Sequence, residues 1–464
     1  MRTLPARVRV VLGTVVSAAF VAGVVLAAPM TLPTVDRGLL SVTAAPEAST
    51  SILACSGPVL ALGRDIEDVS ALTPAAEQRV VVAATPGADE PEAADMVSAD
   101  VPGGPPAASF SAAPVDRTRT DLAAAGSAVV DDPDLAGFAA TACTPPAMES
   151  WLVAGSGLTG AADLVVLANP GDVAAQVDLT VFGVEGRSAP DAGAGILVPP
   201  GTQRVVPLAG LALGEQSPVV LVSATQAPVQ ATLQSSITRT LVPGGLDQTG
   251  ATSAPALRQV IPAFRAVAGE ESALDATVRV LAPSDHATAD VAVTAVGADT
   301  PVFTAPDLDL AAGTPLEVEL DPLPAGLYRV DIASDAPVVA GLWEASGVGP
   351  GSDFAWYPAS EEIDVASLFA VAAGPAARLA VSGDPEADRT VTLTADAGAG
   401  DASEIEVPAG RTVTIDLRAG AVYRLDPGEG AVRANITYAG EGALAAYPVV
   451  PADAAAAPVV VRPR

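Results

Sequence analysis

Through most of the chain after Ser51, apolar residues recur two apart and are interrupted by Gly and Pro. That spacing predicts short β-strands joined by turns, because successive side chains on a strand point to opposite faces. One stretch sets the pattern: Val198–Leu208, VPPGTQRVVPL, returns as Leu310–Leu320, LAAGTPLEVEL, and as Val407–Leu417, VPAGRTVTIDL. Each copy runs from an apolar residue through two small or Pro residues to a Gly, then through an alternating run that ends in Leu. This predicts a turn feeding a half-buried strand, with Gly supplying the backbone freedom.

Longer blocks repeat around these copies. Val166–Gly183, VLANPGDVAAQVDLTVFG, aligns without gaps on Val280–Gly297, VLAPSDHATADVAVTAVG. Val220–Leu233 aligns on Arg329–Leu342 at nearly the same spacing. A shorter third copy is marked by Val391–Thr394, which echoes Val291–Thr294, and by Tyr423-Arg424-Leu425, which echoes Tyr328-Arg329-Val330. Matching blocks kept in one order indicate duplicated modules. Each unit is about 100 residues, the size of an immunoglobulin-like sandwich. No segment after residue 35 holds a helical period, so the fold class is all-β, with tandem immunoglobulin-like β-sandwich modules. The modules are expected at 147–248, 256–360 and 363–451. Pro228 and Pro337, at equivalent places, should mark strand starts or edges.

Before the modules, residues 50–146 should form a β region, interrupted at 86–114 by an acidic, Pro- and Ala-rich insertion expected to be disordered. Residues 452–464 read as a loose tail. At the N-terminus, Arg2, Arg7 and Arg9 precede an uncharged run from Val10 to Val35. Residues 1–35 are therefore expected to be a membrane anchor, with Val10–Met30 long enough to span a bilayer and its basic end cytoplasmic. The alternative is a signal cleaved after Val25-Leu26-Ala27, before Ala28. Either reading exports the bulk of the chain.

Composition adds two constraints. The 464 residues carry 23 Lys+Arg against 54 Asp+Glu, a net charge of −31. Such a surface repels phosphate backbones and excludes nucleic acid as a partner. The two cysteines, Cys55 and Cys143, allow one connectivity, and an exported chain is expected to join them. That bridge would close the first β region across its insertion and stabilise the fold by ~4–5 kcal/mol.

Candidate chemistry is sparse. Gly155-x-Gly157-x-x-Gly160 matches a dinucleotide fingerprint, but the segment after it, DLVVLA, reads as a strand where the fingerprint requires a helix. His286 is the single histidine and aligns with Asp172 in a turn, so it is read as a solvated turn residue despite Asp285 and Asp290 nearby. The carboxylates Asp384, Glu386 and Asp388, like Asp131, Asp132 and Asp134, lack the register of a calcium loop. No metal ligand, cofactor site or catalytic residue is assigned. Asn435-Ile436-Thr437 is a glycosylation sequon that fits a strand equally well. In a chain with 3% aromatics, Leu342–Pro358 gathers Trp343, Phe354, Trp356 and Tyr357 around a Gly-rich loop. Buried, they are core residues, as Trp151 is expected to be; exposed, they are a candidate ligand platform.

The Arg-flanked span, the opening SILACSGPVLALGRD, the second Cys followed by Pro and Trp151, and the series ANPGD, VDLTVFG and VPPGT together carry a resemblance. The chain resembles actinobacterial cell-envelope proteins, membrane-anchored or secreted, that carry a conserved domain of unknown function. The absence of Lys suits such a high-GC origin. The resemblance implies a place on the outer face of the cytoplasmic membrane and assigns no chemistry. The function expected is non-enzymatic: a structural or interaction protein of the cell envelope, accessory to assembly of wall polysaccharide, with an envelope protein or glycan as partner. The rival is a secreted carbohydrate-active hydrolase using a carboxylate pair near 342–358.

Overall fold

The computed structural model describes residues 6–27, 42–44, 48–68, 70–115, 118–267, 276–452 and 459–461. The chain divides into two compact units, one of Met1–Pro46 with Ala456–Arg464 and one of Glu47–Ala455. The first holds a 22-residue helix, Ala6–Ala27, and an antiparallel pair of Val42–Ala44 with Val459–Val461. Part of the tail expected to be loose is therefore a paired strand; 453–458 and 462–464 lie outside the described residues, as does the expected cleavage position at Ala28. The helix exposes Val10, Leu12, Val16 and Phe20. Among the described residues no helix is long and apolar enough to cross a membrane.

The second unit is built of strands, and the three expected repeats share one topology. In the first, Glu149–Leu152, Val219–Thr225 and Ala175–Gly183 pair in that order, and Gly186–Ser188 and Ile196–Val198 both pair with the last of them. Facing this sheet are Thr202–Pro207, Leu164–Asn169, Gln230–Arg239 and Val242–Gly250. Numbered along the module, with Gly186–Ser188 and Ile196–Val198 counted together as the fourth strand, the orders are first-sixth-third-fourth and fifth-second-seventh-eighth.

The second module repeats both orders. Ala256–Ala266, the first part of Gly326–Ala345, Ala287–Ala295 and Pro301–Leu310 form one sheet; Leu316–Glu319, Thr277–Leu281, the second part of Gly326–Ala345 and Phe354–Pro358 form the other. The third does so with Ser367–Ala370, Val422–Asp426, Arg389–Thr394 and Ala402–Val407 against Thr412–Leu417, Ala376–Ser382, Arg433–Gly440 and Ala443–Pro448. Each core draws on both sheets of its module: Val177, Leu179 and Val222 meet Leu167 and Leu233 in the first, and Val291 and Ile332 meet Val280 and Leu342 in the second. These are β-sandwiches of immunoglobulin size, but the expected immunoglobulin order is not found. There the first strand lies beside the second; here it lies beside the sixth.

The recurring Gly turn performs the same task in all three copies. Gly201, Gly313 and Gly410 have φ of 64°, 75° and 69°, a region that penalises a Cβ. Each carries the chain from the fourth strand in one sheet to the fifth in the other, just after a fully buried Val198, Leu310 or Val407. Pro228 lies in the turn before the seventh strand. Its counterpart Pro337 sits inside Gly326–Ala345, between Ser334, the last residue paired with Ala287–Ala295, and Val339, the first paired with Thr277–Leu281.

Two expectations are corrected. Residues 86–114 are not an unstructured insertion: Glu92–Ser98 and Ala107–Ala112 are strands, and Met96, Val101 and Phe110 are buried. Small residues are needed here because the chain passes close overhead; a Cβ on Gly57 would lie 2.7 Å from the Cβ of Ala107. Nor is 50–146 a separate domain. Glu92–Ser98, Ala107–Ala112 and Ser51–Ala54 extend the first module's second sheet to seven strands through a parallel pairing of Val97 with Thr202. Arg79–Ala84, Leu122–Asp131 and Ala136–Cys143 form another sheet, whose Ala123, Ala125, Phe138 and Ala140 enter the core of the third module. The expected disulfide is present between Cys55 and Cys143, which are both buried, and it links these two parts.

The joints between modules are polar and buried. The Asp353 carboxylate, in the second module, accepts backbone N–H groups from Phe138 at 3.0 Å, Leu246 at 3.1 Å and Leu444 at 3.0 Å. One side chain thus ties the first region and all three modules.

Candidate functional site

The strand Phe354–Pro358 packs on two cores at once, because its side chains alternate. Ala355 and Tyr357 enter the core of their own module, while Phe354 and Trp356 enter that of the first module, where Trp343 packs beside them. Tyr357 therefore belongs to no ligand platform: it is buried, with its ring centroid 6.1 Å from that of Phe264. Phe354 and Trp356 are buried as well, and Trp343 alone of the four is half-exposed.

Trp343, Phe354 and Trp356 wall a cleft of about 270 Å³ where the first two modules meet. Across from them stand Gly155, Ser156, Asp163, Gln216, Arg239, Arg279 and Glu317. The Gly155–Gly160 loop reaches the cleft for steric reasons: a Cβ on Gly157 would lie 1.7 Å from the Ala212 carbonyl oxygen, and one on Gly155 within 3 Å of Leu233, Asp163 and Leu208. Strand Leu164–Asn169 follows this loop, so the structure offers no helix N-terminus to a pyrophosphate.

Arg279 is the anchor of the cleft. Its guanidinium donates to the carbonyls of Gly155 at 2.9 Å and Pro218 at 2.8 Å, and to Glu317 Oε1 at 2.9 Å, and lies 4.7 Å from the Trp356 ring centroid. Burial pulls its pKa down, opposed by Glu317. Arg279 and Glu317 face each other in register on adjacent strands. Asp163 is almost fully buried, and desolvation pushes its carboxyl up to about 7 against two backbone donors, Ser156 N–H at 2.7 Å and Ser236 N–H at 3.1 Å. Both its oxygens are thus engaged. Arg239, at the end of strand Gln230–Arg239, differs from the other groups: its Nη1 is buried without a partner, and desolvation lowers its pKa.

None of these polar residues was singled out by sequence. An Arg between Val278 and Val280 reads as a solvent-facing strand position; only the neighbouring module buries it. The other candidates fall elsewhere. His286 is exposed in the turn between the second and third strands of its module, 3.3 Å from Asp309 Oδ1. Asp172 is exposed in the equivalent turn, as the alignment implied. Asp132 and Asp134 both pair with Arg64, Asp384 with Arg389, and Asp388 accepts the backbone N–H of Ala409. Among the described residues no three His, Cys, Asp or Glu side chains gather as a metal site would require. Asn435 of the sequon is buried, bonded to both backbone groups of Ala263.

No curated protein matches the chain in sequence. A family match does extend over residues 96–418, from within strand Glu92–Ser98 to the end of Thr412–Leu417 in the third module, and includes the whole cleft. Because it covers well over half of its length, this chain belongs to DUF5719, a family of unknown function.

Proposed function

We propose that this protein is a non-catalytic structural or interaction protein of the cell envelope, of actinobacterial type, accessory to the assembly of wall polysaccharide. It is held on the outer face of the cytoplasmic membrane by its N-terminal segment. The observation that carries the export half of this reading is the buried Cys55–Cys143 bridge, since such bonds form and persist in oxidising compartments. The sequence supports anchoring: Arg2, Arg7 and Arg9 precede a run from Val10 to Val35 without a charge, and the positive-inside rule places that basic end in the cytoplasm. A secreted form cleaved at Ala28 is the alternative.

The non-catalytic half rests on how the cleft's carboxylates are spent. Asp163 gives both oxygens to backbone N–H groups and Glu317 is taken by Arg279, so neither is poised over open space as a hydrolase pair needs to be. One observation favours the rival hydrolase: a carboxyl at about 7 beside aromatic walls has the pKa of a general acid. The test is incubation of the purified full-length chain with envelope glycans. Co-sedimentation with wall polysaccharide and no new reducing ends are expected; reproducible turnover would overturn this reading. Alkaline washing of membranes separates an anchored chain from a secreted one.

A further inference from the structure

We propose that the cleft between the first two modules binds an anionic sugar residue, with Trp343 beneath the ring and the Arg239 guanidinium pairing with its acidic group. This rests on the envelope-polysaccharide reading and names the contact through which it operates.

The charge balance of the cleft selects an anion. Arg279 and Glu317 neutralise each other, and Asp163 is held by backbone donors and half protonated near neutrality. Arg239 is left as the cation without a counterpart, in a chain of net charge −31. A buried donor left without a partner is costly, and an anion would relieve that cost. Two further features fit the backbone to this side chain. A Cβ on Gly244 would lie 2.5 Å from Arg239 Nη1, so the facing strand has no side chain where the guanidinium lies. The hairpin turn after Arg239 holds Thr240 and Leu241 at φ of 51° and 79°, a conformation L-residues avoid and one concentrated at ligand sites.

The walls select a sugar. Apolar C–H faces pack on aromatic rings, and Trp343 is the half-exposed ring of the set. Gln216 and Ser156 supply polar edges suited to hydroxyls. A volume of about 270 Å³ falls just below the range of drug-sized pockets, which suits one ring of a polymer.

The test titrates the purified full-length chain with glucuronic acid, glucose 6-phosphate, neutral glucose and acetyl-alanyl-alanine, following tryptophan fluorescence and heat. Two of the three tryptophans line the cleft. At least one anionic sugar should bind ten-fold or more tighter than glucose; which one binds distinguishes a carboxylate from a phosphate source. Arg239→Gln should weaken it at least ten-fold without lowering the thermal midpoint, since Arg239 has no partner to lose, and Trp343→Ala should weaken it likewise. Arg418→Gln, on the exposed surface, should change nothing. Equal affinity for glucose, tighter binding of the peptide, an unaffected Arg239→Gln, or no binding by any probe overturns the proposal. Co-sedimentation with wall polysaccharide separates the two levels. If wild type and Arg239→Gln bind polymer alike, the cleft assignment fails and the envelope reading stands; if neither polymer nor probe binds, both fail.

Discussion

Phe138 donates its backbone N–H to the Asp353 carboxylate at 3.0 Å, across 215 positions of sequence, at a point where neither residue meets solvent. A carboxylate in such a place is expensive to ionise, and burial raises Asp353 to about 7 despite its backbone donors. Asp247, which accepts the Trp356 N–H at 2.8 Å, is raised well above its ordinary value by burial, and the charge of Asp353 adds to the effect.

Stability should therefore fall as pH rises from about 4 to 7. Asp353 and Asp163, raised to about 7, and Asp121, raised to about 6, all titrate higher folded than unfolded. The folded state binds more protons in that window, so the stabilisation is complete near pH 4 and is lost as each group ionises. The slope is about 1.4 kcal/mol per pH unit for each group between its two pKa values. Asp134 and Asp384, shifted downward, are largely exposed and screened. Urea midpoints measured across this range check the trend; Asp353→Asn should reduce the slope, whatever it does to absolute stability.

Reducing the disulfide should cost ~4–5 kcal/mol, the chain-entropy value for a sequence separation of 88. A Cys55→Ser, Cys143→Ser double variant should show the same loss in urea unfolding. A much smaller loss would mean that the two parts of the first region are held together mainly by the modules they join.

Gln234 exchanges two hydrogen bonds with Leu60, receiving the Leu60 N–H at 2.8 Å and donating to its carbonyl at 2.7 Å. Gln234→Leu should destabilise by about 2–4 kcal/mol, since it strands two buried backbone groups. Gln203 and Gln248 hold the neighbouring carbonyls of Cys55, Ser56 and Gly57. The first new protease cut in the variant should therefore fall near residue 60, read by mass spectrometry of limited digests.

Asn435 receives the Ala263 N–H at 3.1 Å and donates to its carbonyl at 2.7 Å, closing the joint between the second and third modules. Expression in a glycosylating host should leave this sequon unmodified by intact mass. Asn435→Ala should cost about 2–4 kcal/mol in thermal or urea unfolding.

Local rules were enough for the repeats. A Gly at positive φ after a buried aliphatic residue is a requirement of the backbone, and it is written identically at Gly201, Gly313 and Gly410. The aromatic cluster was equally visible as a group, but its partition was not: Trp356 and Tyr357 are neighbours in sequence and serve different cores, because the pleat turns one toward the first module and one toward the second. The stretch 86–114 misled because Ala and Ser in EAADMVS and AASFSA carry no burial signal of their own; their smallness matters only once Gly57 lies against Ala107.

By itself the sequence determined the all-strand class, the three repeats, the turns that switch sheets and the cysteine pair, since each follows from side-chain alternation, glycine's freedom or a count. The tertiary structure alone decided that the first region is divided between two modules, that Asp353 and Asn435 are joints, and that Arg239 stands unpaired beside Trp343. Those are relations between distant segments, and burial of a charge is a property of what packs over it, which no local pattern of residues records.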